Sequence, residues 1–170
     1  MKKYIFIGFL AITIFSCKTE NKEITNAVNP DQFGYTIIKS SNIDIVKEIN
    51  IDLTNYDFVK LRSHYTDSTK VHDNLNIQQI DTNLAGFIPM KNAGVKFGIE
   101  GVPEIFEIIE KPDPKTGYTN YVDTYYVLSI TRNGKKYLSS LNQMFAMKDG
   151  KVLEEWDVYD TAPFIEIMKK

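Results

Sequence analysis

The chain has 170 residues, with 22 acidic side chains against 20 basic ones and a formal net charge of −2. This near balance, with no stripe of Lys or Arg, excludes the electrostatic footprint of a nucleic-acid binder. A single cysteine excludes an internal disulfide, so a hydrophobic core must hold the fold, and the length suffices for one ordinary domain.

The first element along the chain is a leader. Lys2 and Lys3 make a basic start, residues 4–15 are uncharged and apolar, and "KTENKE" after Cys17 is abruptly polar. The apolar run is shorter than the ~20 residues needed to span a bilayer, so it reads as a signal peptide. "IFSC", with small Ser16 directly before Cys17, resembles the bacterial lipobox, whose cysteine is lipidated and becomes the mature N-terminus. Residues 1–16 are thus read as a lipoprotein signal peptide, 17–40 as the lipidated Cys17 and a flexible polar tether, and 41–170 as the domain. The expected location is the bacterial cell envelope, with a membrane met through acyl chains that each contribute ~0.8 kcal/mol per buried methylene. An ordinary signal peptide followed by an accidental cysteine is the competing reading.

Three helices come next. Ser40, Ser41 or Asn42 can cap a helix with Asp44 in its first turn. Ile45, Ile49 and Leu53 recur every four residues, and Val46 widens the stripe. Asn55 can cap a second short helix with Phe58, Leu61 and Tyr65 on one side. "TDSTKVHDN" reads as a turn and a brief strand. Residues 81–93 form a third helix opened by Asp81 or Thr82, with Pro89 either in its first turn or at a kink.

From residue 102 the pattern is β. "VPEIFEIIE", "YVDTYYVLSIT", "KYLSSLNQMFAM" and "VLEEWDVYD" are strands, separated by a Pro-rich turn and by Asn133-Gly134 and Asp149-Gly150 hairpins. Helices followed by an antiparallel meander give an α+β fold, a curved sheet wrapped round a helical layer. Alternation puts Val122, Tyr126, Leu128 and Ile130 on one face of the second strand. It does the same for Leu141, Gln143, Phe145 and Met147 on the third, and for Val152, Trp156 and Val158 on the fourth, with Asp160 at its end. A gap between this face and the helices would be a pocket, with Tyr126, Leu128, Phe145 and Trp156 as its ligand-lining residues. Glu154, Glu155 and Asp157 read as a solvated acidic rim.

Two helices, "HYTDSTKVHDN", and then "YVLSITRNGKKYLSSLNQMFAMKDGKVLEEWDVYD" resemble the SnoaL-like branch of the nuclear-transport-factor-2-like superfamily, over about residues 42–162. The resemblance implies a cone-shaped α+β fold with helices as the lid of a pocket. It also implies isomerase-, cyclase- or hydrolase-like chemistry, or binding without turnover, on a small and largely apolar ligand. Fold alone does not choose between them. The resemblance allows a homodimer through the open sheet face, which an exposed apolar patch would signal.

Asp73 falls where isomerase-like members carry a proton-shuttling aspartate. A carboxylate at the rim of an apolar pocket has its charged form desolvated, which moves it towards the working range of a general base. The second acid of those members falls on Gln143 and their tyrosine near Ile49, so the steroid-type oxyanion hole is absent. The candidate catalytic set is Asp73, Gln143 and Asp160, and each has a plainer reading. Asp73 can be a strand-end carboxylate, Asp160 a polar cap, Gln143 a satisfied core amide, and Trp156 or Tyr126 core. His64 and His72 are the only histidines, too few for a zinc site, so no metal is expected. No cofactor is expected either, because no P-loop, Rossmann or nucleophile-elbow motif occurs.

Overall fold

The structure, a computed structural model, describes residues 34–169. Seven strands form one sheet in the order β1-β4-β5-β6-β7-β2-β3, with five helices gathered on one face and at one end. The class is α+β, as the sequence pattern indicates. Residues 1–33, which include the leader and Cys17, lie outside the described residues.

Strand β1 (Gly34–Ile37) pairs antiparallel with the end of β4 (Lys96–Glu110). The sequence reading left these four residues in the tether, because a four-residue strand with one tyrosine and one isoleucine is too short to show a periodicity of its own. Helix α1 (Ser41–Thr54) starts at Ser40, whose side chain accepts from the Ile43 N–H at 3.1 Å. Its inner face carries Ile43, Val46 and Ile49, all essentially inaccessible. Helix α2 (Phe58–Ser63) is capped by Asp57, not by Asn55, which instead ends α1. The segment expected as one helix over 81–93 is two, α3 (Ile80–Gly86) and α4 (Ile88–Asn92), and Pro89 sits in the first turn of α4. There its missing N–H costs no helical hydrogen bond.

Strands β5 (Asn120–Arg132), β6 (Lys135–Lys148) and β7 (Lys151–Tyr159) make the expected meander. Asn133 and Gly134 have φ of 50° and 77°, the left-handed pair that a type I′ turn requires. The sheet is not antiparallel throughout: β2 (Tyr65–Asp73) lies parallel to β7 and pairs antiparallel with β3 (Asn76–Gln79). Helix α5 (Ala162–Met168), which the sequence pattern did not indicate, returns over β5 and β6.

Two irregularities set which side chains face inward. In β4 the register with β5 shifts between Glu100 and Glu104, where Gly101 has φ of 74°. In β7 the register with β6 shifts at Ala146/Met147, so that Val152 pairs Met147 while Glu154 pairs Ala146. Leu153 is the extra residue of this bulge. Strict alternation predicted Val152, Trp156 and Val158 on the core face. The bulge keeps Val152 inside but turns Glu155, Asp157 and Tyr159 inward and Trp156 and Val158 outward, Val158 with 63% of its surface exposed.

The closed end of the cone is packed solid by Phe145, Val122, Val71 and Val152 against the α1 stripe. A second cluster of Leu128, Ile130, Leu141 and Ile167 lies towards the open end. Between them the sheet and helices do not meet.

Candidate functional site

The gap is a cavity of about 600 Å³. Its apolar lining comes from every layer: Ile49 and Leu53 of α1, Leu84 of α3, Met90 of α4, Leu128 and Leu141 of the sheet, and Phe164 of α5. Its polar groups are concentrated on the sheet wall and the mouth.

Gln143 is the centre of the wall group. It is 3% exposed and stands opposite Asp157 in the β6–β7 ladder. Its Nε2 donates to Asp157 Oδ1 at 2.9 Å and to Glu155 Oε1 at 3.2 Å. Its Oε1 accepts from the Tyr126 hydroxyl at 2.8 Å. Both amide hydrogens and the carbonyl are therefore occupied inside the wall. Tyr65 donates to Glu155, and the charge acting on Glu155 is that of Asp157. Burial, then the nearby Asp157 charge, pushes Glu155 well above the usual carboxylate range. Burial also pushes Asp157 up to about 6, opposed by its hydrogen bonds to Gln143 and Glu155. Burial raises the Tyr65 and Tyr126 hydroxyls too. Thr124, in register with Gln143, is fully buried, and its Oγ1 has no hydrogen-bond partner among the described residues.

Asp73 lies at the cavity, at the end of β2. Tyr159 donates its hydroxyl to Asp73 Oδ1 at 2.6 Å, and Gln78 Nε2 is 3.4 Å from Oδ2. The pairing of β2 with β7 sets Asp73 beside Asp157. Burial, then the bond to Asp73, raises the Tyr159 hydroxyl. Its neighbour His72 points to the other side of the sheet, as strand alternation requires, and stacks on Trp156 at 5.2 Å between ring centroids.

The remaining candidates are placed as follows. Leu128 lines the cavity, and Tyr126 is buried behind it on Gln143. Phe145 does not reach the cavity; it fills the closed end with no exposed surface. Trp156 is on the outer face because of the β7 bulge. It borders a separate concavity of about 480 Å³ with Tyr118, Tyr121 and Met144. Asp160 is exposed and caps the turn into α5, its Oδ1 accepting from the Ala162 N–H at 2.9 Å. The acidic rim expectation holds for Glu154 only in part and fails for Glu155 and Asp157, which are 5% and 9% exposed. Glu155, Asp157 and Tyr159 share one face of β7, and the bulge at Leu153 turns that face inward. Among the described residues no group of His, Cys, Asp and Glu is arranged to hold a metal ion.

No protein-family model and no curated protein matches the chain. Solved structures do. A nuclear-transport-factor-2-like protein from Burkholderia xenovorans aligns with a TM-score of 0.52 and 12% identity, over 76% of this chain and 96% of its own. A candidate polyketide cyclase from Silicibacter aligns with a TM-score of 0.56 and 14% identity, over 79% and 99%. TerC, co-crystallised with polyporic acid, aligns with a TM-score of 0.55 and 16% identity, over 77% and 100%. At these identities the likeness is one of architecture. The domain has the nuclear-transport-factor-2-like fold, the fold of SnoaL-like domains.

Proposed function

We propose that the domain binds a small, largely apolar molecule in its cavity and moves protons on it, as isomerase-, cyclase- or hydrolase-like members of this fold do. The observation that carries the reading is the pairing of an apolar cavity with two buried carboxyls, Glu155 and Asp157, beside a third, Asp73, on the next strand. Two titrating groups with different surroundings divide acid and base roles. Asp73, oriented by the Tyr159 hydroxyl, accepts a proton from the ligand. Glu155, raised by burial, is the acid that returns one to it. One proton is taken and one given, so isomerisation and ring closure balance without a co-reactant; hydrolysis adds a water. The TerC complex supports the reading, since a chain of this architecture takes a small organic acid.

A second reading, ligand capture without turnover, is favoured by Gln143. With its amide fully engaged by Glu155, Asp157 and Tyr126, it offers no donor to an oxyanion. Mass spectrometry of molecules that co-purify with the protein identifies the ligand under either reading. On that ligand Asp73→Asn is expected to remove turnover and leave binding within a few-fold. If the wild-type protein releases the bound molecule chemically unchanged, only capture stands.

The same proposal places the chain in the bacterial envelope as a lipoprotein, attached through acyl groups on Cys17. The described residues contain no helix long and apolar enough to cross a membrane. Cys17→Ser should release the protein from the membrane fraction and stop incorporation of labelled palmitate. Tyr125, Leu138 and Val158 stand exposed on the outer sheet face and support a homodimer there; light scattering of the purified protein gives its mass directly.

A further inference from the structure

The sign of charge in the cavity narrows the ligand class, on the reading that the cavity is a ligand site. Among the described residues Asp73, Glu155 and Asp157 line it, and no Lys, Arg or His does. The ion pairs of the described residues lie elsewhere, at Asp44, Asp52, Asp57, Asp67, Asp81, Glu100, Glu154 and Glu166. The three cavity carboxyls are served instead by neutral donors: the Tyr159 and Tyr65 hydroxyls and the Gln143 and Gln78 amides. The charges acting on Asp157 and Glu155 are those of other acids, Asp73 and Asp157. A site built this way repels an anionic ligand and leaves a neutral one with no charge to answer. A cation is different: at low local dielectric its attraction to carboxylates that have no positive partner is strong. The rest of the lining suits the body of such a molecule. Phe87, Phe97, Phe164 and Tyr159 present rings, which attract a cation as well as apolar carbon.

We propose that the cavity takes an apolar amine in its protonated form, with the ammonium group between Asp73 and Asp157 and the hydrocarbon body towards Phe97 and Phe164. A bound positive charge then favours the charged forms of Glu155 and Asp157. The amine is defined by chemistry: one positive charge on a bulky, uncharged skeleton.

The test compares matched probes on two skeletons, adamantyl and naphthylethyl, each as amine, alcohol and carboxylate, by isothermal titration into the purified chain. The amine is expected to bind at least about tenfold tighter than the alcohol, a difference of ~1.4 kcal/mol, and the carboxylate weakest. Titration near pH 7 in buffers of different ionisation enthalpy should show proton release with the amine alone. Asp73→Asn should bring the amine to within about threefold of the alcohol, with a circular dichroism spectrum and urea midpoint close to wild type showing that the variant is folded. Alcohols that bind as tightly as the amines overturn the charge inference and leave the ligand cavity standing. If none of the six probes binds and the co-purified fraction is empty, the ligand reading and this inference fall together.

Discussion

Two buried carboxyl sites in this molecule behave in opposite ways. Glu107, on β4, is 2% exposed and receives three donors: the Asn42 and Asn120 amides at 2.7 and 2.8 Å, and the Ser40 hydroxyl. Burial alone would raise it, yet these donors together hold it below the usual carboxylate range. Glu155 and Asp157 are buried to a similar degree but share one amide and one tyrosine hydroxyl, and beyond those have each other. They are held above the usual range. The first site is a clamp that ties the start of α1 to the sheet. The second stores a proton next to a cavity. Depth of burial and the supply of donors together decide which kind of site a carboxylate becomes.

The contrast can be broken most severely at the clamp. Glu107→Leu strands two amides and a hydroxyl and is expected to cost about 3 kcal/mol at pH 7, read by urea unfolding. Because Glu107 is lowered in the folded state, its contribution is present above the ordinary carboxylate range and fades as pH falls through its folded value. The penalty should therefore shrink below about pH 4; a penalty independent of pH would remove Glu107 from the comparison.

The acid pair should show the opposite slope. Its members are raised, so their stabilising contribution is present below the ordinary range near 4 and is lost as pH rises through about 6. Asp157→Asn removes that titration. It should raise stability at pH 8 by about 2 kcal/mol and flatten the profile between pH 4 and 7. A variant less stable than wild type at pH 8 would show that the pair is a structural bond and not a proton store. The smallest effect is expected at Asp160. Losing its cap on the Ala162 N–H should cost about 0.5–1 kcal/mol, with cavity binding unaltered.

Much of the fold was legible because periodicity carries it. The α1 stripe, both hairpin turns and the inward faces of β5 and β6 follow from local pattern, and so does Gln143's place on the wall. Asp73 beside a pocket came from the resemblance, and the structure puts its carboxyl at the cavity. What was missed depends on one residue of register or on distant contacts. The extra residue at Leu153 exchanges Trp156 and Val158 for Glu155 and Asp157, and no local rule announces a bulge in "KVLEEWDVY". Helix α5 and strand β1 are short segments whose order comes from the sheet they dock on, so their own sequences say little. Phe145 was on the right face but too deep: alternation gives direction, not position along a tapering cone.

The parallel placement of β2 against β7 has a consequence for how the protein is made. Asp73 and its partner Tyr159 are 86 positions apart, so the mouth is completed by one of the most sequence-distant contacts in the chain. During synthesis or export the helices and early strands emerge first and have no site to offer. Competence for a guest molecule arrives only when the last strand closes the sheet, late on any folding route limited by contact order. In refolding from urea, probe fluorescence in the cavity should lag behind the recovery of helical circular dichroism. A chain interrupted before Tyr159 would keep most of its secondary structure and capture nothing.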